Sequence, residues 1–229
     1  MPQFVLAFPM TCEASAPVVI NENVTLAADA KSAIIPGCTV MFNVVRKEHV
    51  DGLAGIFREH QDISADAASA IEAHKSLLFL LGEAKNVDEV NQVNMAILKM
   101  FSAGALGVYM QQSGAAWSVE GFREEVGDGE YPMDPWINFV ENGDLLYTLG
   151  LACFGLPDLC VSASEEDAQS KLLFVADALF GDGIPAKSGS EVDLEEDGIY
   201  VLRLETKNPF PKDSPEFNRQ GIFRIVKKK

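Results

Sequence analysis

The chain has 229 residues, of which 48% are hydrophobic, and its formal net charge at pH 7 is −16. This length and apolar content allow a substantial buried core and exclude a largely disordered chain. No apolar run approaches the roughly 20 residues that a membrane-spanning helix needs, and the first residues lack the basic-then-apolar pattern of a signal peptide. We therefore expect a cytoplasmic protein without a membrane partner.

The negative charge lies mainly in the second half of the chain. Residues 118–144 hold eight acidic residues and one basic residue, residues 165–205 hold eleven and three, and residues 206–229 hold two and seven. An acidic surface repels phosphate backbones, so we expect no nucleic-acid partner. The run Lys227–Lys229 is interpreted as a solubilising end that complements the acidic body.

Strands and helices alternate along the first part of the chain. Apolar, partly alternating residues predict strands at residues 2–10 and 37–45. Two short amphipathic helices are predicted next, one with Leu53 and Phe57 on its apolar face and one that Ser64 caps.

The clearest unit spans residues 76–111, where two apolar strands flank one amphipathic helix. Asn86 begins the helix and Glu89 follows three residues later, a spacing typical of a capping box. The predicted core face of the helix is formed by Val87, Val90, Asn94, Ile97, Leu98 and Phe101. Strands that are apolar at almost every position are typical of a right-handed βαβ crossover, so a parallel pair of strands is expected.

The second half predicts a hairpin, a helix and a last pair of strands. Asn142 and Gly143 suit the centre of a type I′ turn, which would place Glu141 opposite Asp144. In the strand that follows, Tyr147, Leu149 and Leu151 are predicted to share one face. Ser164 is predicted to cap a helix that ends at Gly181 and Gly183, and strands are predicted at residues 199–205 and 221–228.

These elements predict one α+β domain over residues 1–229. Its expected core is a mixed β-sheet with at least one βαβ crossover and an Asn-Gly hairpin, and helices pack on the sheet. An internal division near residues 114–117 is left open.

Four segments carry a resemblance to a known family. LYTLGL at residues 146–151 and GLPDL at 155–159, together with AHKSLLFLLGEA and GALGVYMQQSGAAW upstream, resemble an uncharacterised bacterial family, one of the catalogued domains of unknown function. The resemblance covers roughly residues 70–205. It implies an α+β fold and a bacterial, cytoplasmic protein, and it brings no activity, cofactor or catalytic residue.

Recognisable catalytic, metal and cofactor motifs do not occur in the sequence. His49, His60 and His74 match no compact metal spacing, and His60 and His74 fit core or capping roles better than a role as general base. The sequence has neither a GxSxG elbow nor a glycine-rich phosphate loop. We therefore assign no metal, cofactor or catalytic residue.

The four cysteines are interpreted as reduced core thiols. Cys12, Cys38, Cys153 and Cys160 lie in apolar neighbourhoods and lack the two-residue spacing of zinc or redox motifs. A cytoplasmic location argues against a stable disulfide.

Two sets of residues are candidates for a functional site. A ligand pocket is predicted at Glu83 and Lys85, between a strand end and a helix N-terminus, with His74 as a third member; a solvated turn is the alternative. The candidates for a protein interface are Trp117, Arg123, Trp136, Glu191, Glu195 and Glu196. For the two tryptophans, partial burial in the core is the alternative.

The leading hypothesis from the sequence is a non-enzymatic acidic protein that binds a basic protein partner, for example an immunity or antitoxin-like protein that blocks a cationic effector. The alternative is a small-molecule-binding domain or enzyme with its pocket near Glu83 and Lys85. Charge reversal at Glu191, Glu195 and Glu196 is expected to slow association in the first case and to have little effect in the second.

Overall fold

The computed structural model describes residues 4–128, 131–214 and 216–228. Within these residues the chain forms five α-helices and three β-sheets, one of which is mixed. Helices pack on the strands, so the predicted α+β class with a mixed sheet is confirmed.

The first large sheet comes from the N-terminal half and is antiparallel throughout. The strands of this half are β1 Phe4–Met10, β2 Val18–Asn21, β3 Val24–Leu26, β4 Ser32–Ile34, β5 Met41–Glu48, β6 Ser76–Gly82, β7 Gly107–Met110 and β8 Ala116–Ser118. The sheet order is β4-β5-β6-β1-β7-β8, and β2 and β3 form a separate hairpin. The helices are α1 Leu53–His60, α2 Ala65–Glu72, α3 Val87–Ser102 and α4 Val119–Asp128.

The predicted crossover through α3 joins two strands that run in the same direction but are not neighbours. Strands β6 and β7 each pair antiparallel with β1, which lies between them. The segment 114–117, where an internal division was left open, holds the turn from β7 to β8 and the start of β8 inside this sheet.

The second large sheet comes from the C-terminal half and is the mixed one. Its strands are β9 Asn138–Asn142, β10 Leu145–Leu149, β11 Asp158–Ser162, β12 Glu191–Asp193, β13 Ile199–Leu204 and β14 Ile222–Lys227. Their order is β12-β13-β14-β11-β10-β9, and helix α5 spans Ala168–Gly181. Strands β11 and β14 are parallel neighbours, so the expected parallel pair lies here rather than around α3.

The β9–β10 hairpin forms, but its register differs from the prediction. Asn142 pairs with Leu145, so the two turn residues are Gly143 and Asp144, and Glu141 lies opposite Leu146. Of the two turn residues only Gly143 has a positive φ, 63°. Glycine at the first central position suits a type II′ turn, which explains why the turn lies one residue later than expected.

Two of the three predicted helix caps are confirmed. Ser64 accepts a hydrogen bond from the Ala67 N–H at 3.1 Å, and Asn86 accepts one from the Glu89 N–H at 2.9 Å. The Glu89 carboxylate accepts from the Lys85 N–H at 2.8 Å rather than from Asn86, so the capping box is displaced by one residue.

The third predicted cap, Ser164, is wrong. Helix α5 begins later, at Ala168, and its N-cap residue Asp167 has a φ of 53° and makes no side-chain capping bond. Ser164 instead hydrogen-bonds with Ser162 through the two hydroxyl groups, at 2.9 Å. The predicted end of this helix at Gly181 is confirmed.

Buried apolar side chains of both sheets belong to one continuous core cluster, to which α3 and α5 also contribute. Representative members are Phe4, Phe42, Val90, Ile97, Leu159, Leu172 and Leu202. Trp136 joins the two halves, since its ring lies 5.2 Å from that of Phe4 and 5.7 Å from that of Phe154, measured between centroids.

Strand β10 lies between β9 and β11, which confirms its predicted place inside the sheet. The strand ends at Leu149, however, because Gly150 has a φ of 114° and Leu151 begins a short 3₁₀ helix. Leu151 therefore does not continue the predicted strand face.

We expect slow amide hydrogen exchange across Leu146–Leu149, because these residues are buried and the strand pairs with β9 along its length and with β11 over residues 145–147. The edge strand β4 serves as the internal comparison, since it pairs on one side only. Exchange in β10 as fast as in β4 would contradict a central position for β10.

Candidate functional site

Several strand ends and connections meet at one end of the second sheet. The Ala163 N–H donates to the Asp144 carbonyl oxygen at 2.9 Å, which places the β9–β10 turn beside the loop from β11 to α5. The Lys228 N–H donates to the Ile199 carbonyl oxygen at 2.8 Å, so the C-terminal end of β14 lies beside the start of β13. The N-terminus of α5 and the connection from β12 to β13 reach the same end.

Acidic side chains from three separate segments gather at this end of the sheet, which we call the acidic end. Its members are Glu141 near the end of β9 and Asp144 of the turn that follows, Glu165, Glu166 and Asp167 of the loop before α5, and Asp193 at the end of β12 with Glu195 and Asp197 of the connection to β13. All of them except the half-buried Glu165 are exposed.

A buried lysine connects two of these segments. Lys171 is 6% exposed, and its Nζ lies 3.2 Å from Glu165 Oε1 and 3.7 Å from Asp197 Oδ1. It also donates to the Glu166 carbonyl oxygen at 2.8 Å, and Tyr200 donates its hydroxyl to Glu165 Oε1 at 2.8 Å. These contacts hold the loop before α5 against the connection from β12 to β13.

The charge states of this cluster follow from its contacts. The hydrogen bond from Tyr200, together with Lys171, holds the pKa of Glu165 below its usual value. Burial lowers the pKa of Lys171, but the hydrogen bond with Glu165 and the charges around it outweigh burial and raise that pKa. Both groups are therefore ionised at neutral pH and form an ion pair.

The interface candidates in the acidic run lie at or beside this end. Glu195 belongs to it, and Glu191 pairs with Lys228 of the basic tail, with 2.6 Å between Oε1 and Nζ. The side chain of Glu196 lies outside the described part of the structure. The predicted complementarity between the tail and the acidic body is therefore present at Glu191.

The predicted pocket of His74, Glu83 and Lys85 is not assembled. His74 precedes strand β6, whereas Glu83 and Lys85 follow it, and a seven-residue strand separates them by about 20 Å. Glu83 is half-buried and Lys85 is exposed. The three side chains therefore do not line one cavity.

The hydrogen bonds of His74 give it a structural role. Its Nδ1–H donates to the Ile71 carbonyl oxygen at 2.7 Å, and its Nε2 accepts from the Val50 N–H at 3.3 Å. Burial holds the pKa of His74 below its usual value. A neutral imidazole with both nitrogens occupied fits the capping interpretation.

The structure does not bring the aromatic interface candidates together on one exposed face. Trp136 is 2% exposed, and its Nε1–H donates to Asn94 Oδ1 at 2.7 Å, so it belongs to the core. Trp117 is half-buried and donates to the Pro135 carbonyl oxygen at 2.8 Å. Arg123 is exposed on α4. Trp136 therefore follows the alternative considered for the tryptophans, burial in the core.

A buried carboxyl group that the sequence analysis did not single out lies at the start of β11. Asp158 is 2% exposed and accepts a hydrogen bond from the Leu151 N–H at 3.3 Å. Burial raises its pKa to about 7, although the Leu151 N–H and the polar side chains of Asn218 and Thr148 near the carboxyl lower it. Thr148 and Asp158 are the polar residues of LYTLGL and GLPDL, so these segments meet in a structural network.

Three further findings concern metal ions, cysteines and membrane-spanning helices. No group of three or more His, Cys, Asp or Glu side chains in the described ranges could hold a metal ion. All four cysteines are free thiols, and burial raises the pKa of Cys153 and Cys160 well above its usual value. The helices of the described chain include none that is long and apolar enough to cross a membrane.

Comparison of the chain with protein-family models, with curated proteins and with solved structures gives no match. The resemblance of the LYTLGL and GLPDL segments to a bacterial family stays a prediction.

Proposed function

We propose that this chain is a non-enzymatic binding protein whose acidic end recognises the basic surface of a protein partner. The observation that carries the proposal is the convergence of three acidic segments, far apart in sequence, at one end of the second sheet. A single acidic run is usually a solvated loop, whereas this end holds eight carboxylates against the three ammonium groups of Lys171, Lys227 and Lys228. This excess of negative charge produces a field that attracts an oppositely charged partner.

The rigidity of the acidic end supports the same function. The ion pair of the buried Lys171 with the half-buried Glu165 fixes the loop before α5, so the carboxylates of this loop need little ordering when a partner binds. The ion pair of Glu191 and Lys228 shows an ammonium group bound to a carboxylate beside this surface. A lysine of a basic partner would bind in the same way. A cationic effector blocked by an immunity or antitoxin-like protein would fit this chemistry.

We expect a charge-reversal variant of the acidic end to lose its partner. The variant replaces one exposed acidic residue in each segment by lysine: Glu141→Lys, Glu166→Lys and Glu195→Lys. The measurement is recovery of a basic protein from an extract of the native host by the immobilised chain.

A matched control separates the placement of charge from its total amount. The variant Glu22→Lys, Asp29→Lys and Glu59→Lys changes the net charge equally, at exposed positions of the N-terminal half. The proposal expects the control to recover the partner and the acidic-end variant to fail. Equal recovery by both variants would refute it.

A further inference from the structure

Two arginines face each other across neighbouring strands of the second sheet. Arg203 of β13 is in register with Arg224 of β14, and both side chains are exposed. In the described chain, no carboxylate oxygen lies within 4.0 Å of either guanidinium. Like charges directly opposite each other destabilise an antiparallel pair, so the fold gains nothing from this arrangement.

A cleft of about 590 Å³ lies along β14 and is lined by both arginines. The parallel pairing of β11 and β14 covers only Asp158–Cys160 and Ile222–Arg224, although both strands continue beyond these pairs. Residues that follow the last pair on each strand line the cleft, namely Val161, Ser162, Ile225 and Val226. A volume of this size is typical of sites for small molecules.

We propose that Arg203 and Arg224 bind the oxyanion, a phosphate or a carboxylate, of a small molecule in this cleft. Guanidinium groups present paired N–H donors that match the two oxygens of such an anion. The bound anion would also remove the repulsion between the two arginines.

The other residues that line the cleft indicate which chemical groups the ligand carries besides the anion. Glu205 and Lys227 line the same cleft. The Lys227 ammonium group adds to the attraction for the anionic group, and the Glu205 carboxylate can accept hydrogen bonds from a hydroxyl or amino group on the body of the ligand. The acidic end, which contributes Glu165 to the lining, would repel a polyanion such as a nucleic acid. The geometry therefore favours a small molecule with one anionic group and neutral or cationic donors.

Titration of the full chain with inorganic phosphate and, separately, with malonate tests the proposal and distinguishes the two oxyanions. Ionic strength is held constant, and binding is followed by calorimetry and by the shift in melting temperature. Arg203→Gln and Arg224→Gln are each expected to weaken binding by about tenfold or more, because each removes a charge-assisted hydrogen bond. Lysine at either position should restore only part of the affinity, since it lacks the bidentate fork.

Arg58→Gln, at an exposed arginine of α1, is the matched control and should bind like the wild type. Without ligand, the melting temperature of Arg203→Gln should be no lower than that of the wild type, because the substitution relieves the repulsion between the two arginines. A loss of binding in this variant would then not be caused by unfolding. No protein partner is present in the titration and neither arginine belongs to the acidic end, so this result can hold or fail separately from the proposed partner binding. Equal binding by the double variant, or no saturation by either anion in the millimolar range, would overturn the proposal.

Discussion

Asp158→Asn is expected to flatten the dependence of the free energy of unfolding on pH between about pH 4 and about pH 7. In the folded chain burial raises the pKa of this carboxyl to about 7, whereas in the unfolded chain it has its ordinary low value. Between these two values the folded state keeps a proton that the unfolded state has released. The wild-type fold therefore becomes less stable as pH rises through this window.

The size of the effect follows from the width of the window. Each pH unit between the two pKa values reduces wild-type stability by about 1.4 kcal/mol, so the whole window accounts for about 4 kcal/mol. Above about pH 7 the carboxyl is ionised in both states, and its contribution no longer changes. An asparagine does not titrate. When the pH rises from about 4 to about 7, the free energy of unfolding of the variant should therefore increase by about 4 kcal/mol relative to that of the wild type.

Urea titrations at several pH values measure the free energy of unfolding of both proteins. In the difference between the two proteins, the contributions of the other titrating groups cancel. Met95→Ala, an exposed substitution that removes no titrating group, is the control and should give a curve parallel to the wild type. Parallel curves for Asp158→Asn would contradict the raised pKa.

Phe101→Ala is expected to lower the free energy of unfolding by about 3–5 kcal/mol, because it empties a buried space that the core cannot refill. The Phe101 side chain is 7% exposed, and its ring meets that of Phe122 edge-on at 5.7 Å between centroids. The buried positions of α3 include most of the predicted face, namely Val90, Asn94, Ile97 and Phe101.

The same helix supplies the control for this measurement. Met95 is 48% exposed on the other side of α3, so Met95→Ala should change stability by less than about 0.5 kcal/mol. A loss below about 1 kcal/mol for Phe101→Ala would contradict the packing of this face.

Local features were predictable because their physical causes are local. The caps at Ser64 and Asn86 depend on one side chain and an N–H three residues away, and both form. The end of α5 at Gly181 likewise follows from the residues beside it. The turn at Gly143 shows the limit of this approach, since Asn142 and Gly143 signal a hairpin but permit more than one register.

Strand pairing was less predictable because it joins residues distant in sequence. Strand β1 lies between β6 and β7, and β11 pairs in parallel with β14. Both arrangements depend on long-range hydrogen bonds, which the spacing of apolar residues along the sequence does not indicate. The separate acidic runs were visible in the sequence, but their meeting depends on the same pairings. The buried Asp158 could have been predicted from the sequence, because it is a single carboxylate among apolar residues. Such a position indicates a buried carboxyl group that is hydrogen-bonded.

The central claim is that the acidic end attracts a basic partner, and the association rate with the captured partner tests it most directly. Stopped-flow measurements at ionic strengths of about 0.01 M and 0.15 M change the Debye length from about 30 Å to about 8 Å. We predict a steep fall in the association rate with salt, and a shallower fall for the variant with lysine at Glu141, Glu166 and Glu195, with little change in dissociation. Association rates that are equal at both ionic strengths, and equal for the variant and the wild type, would contradict the claim.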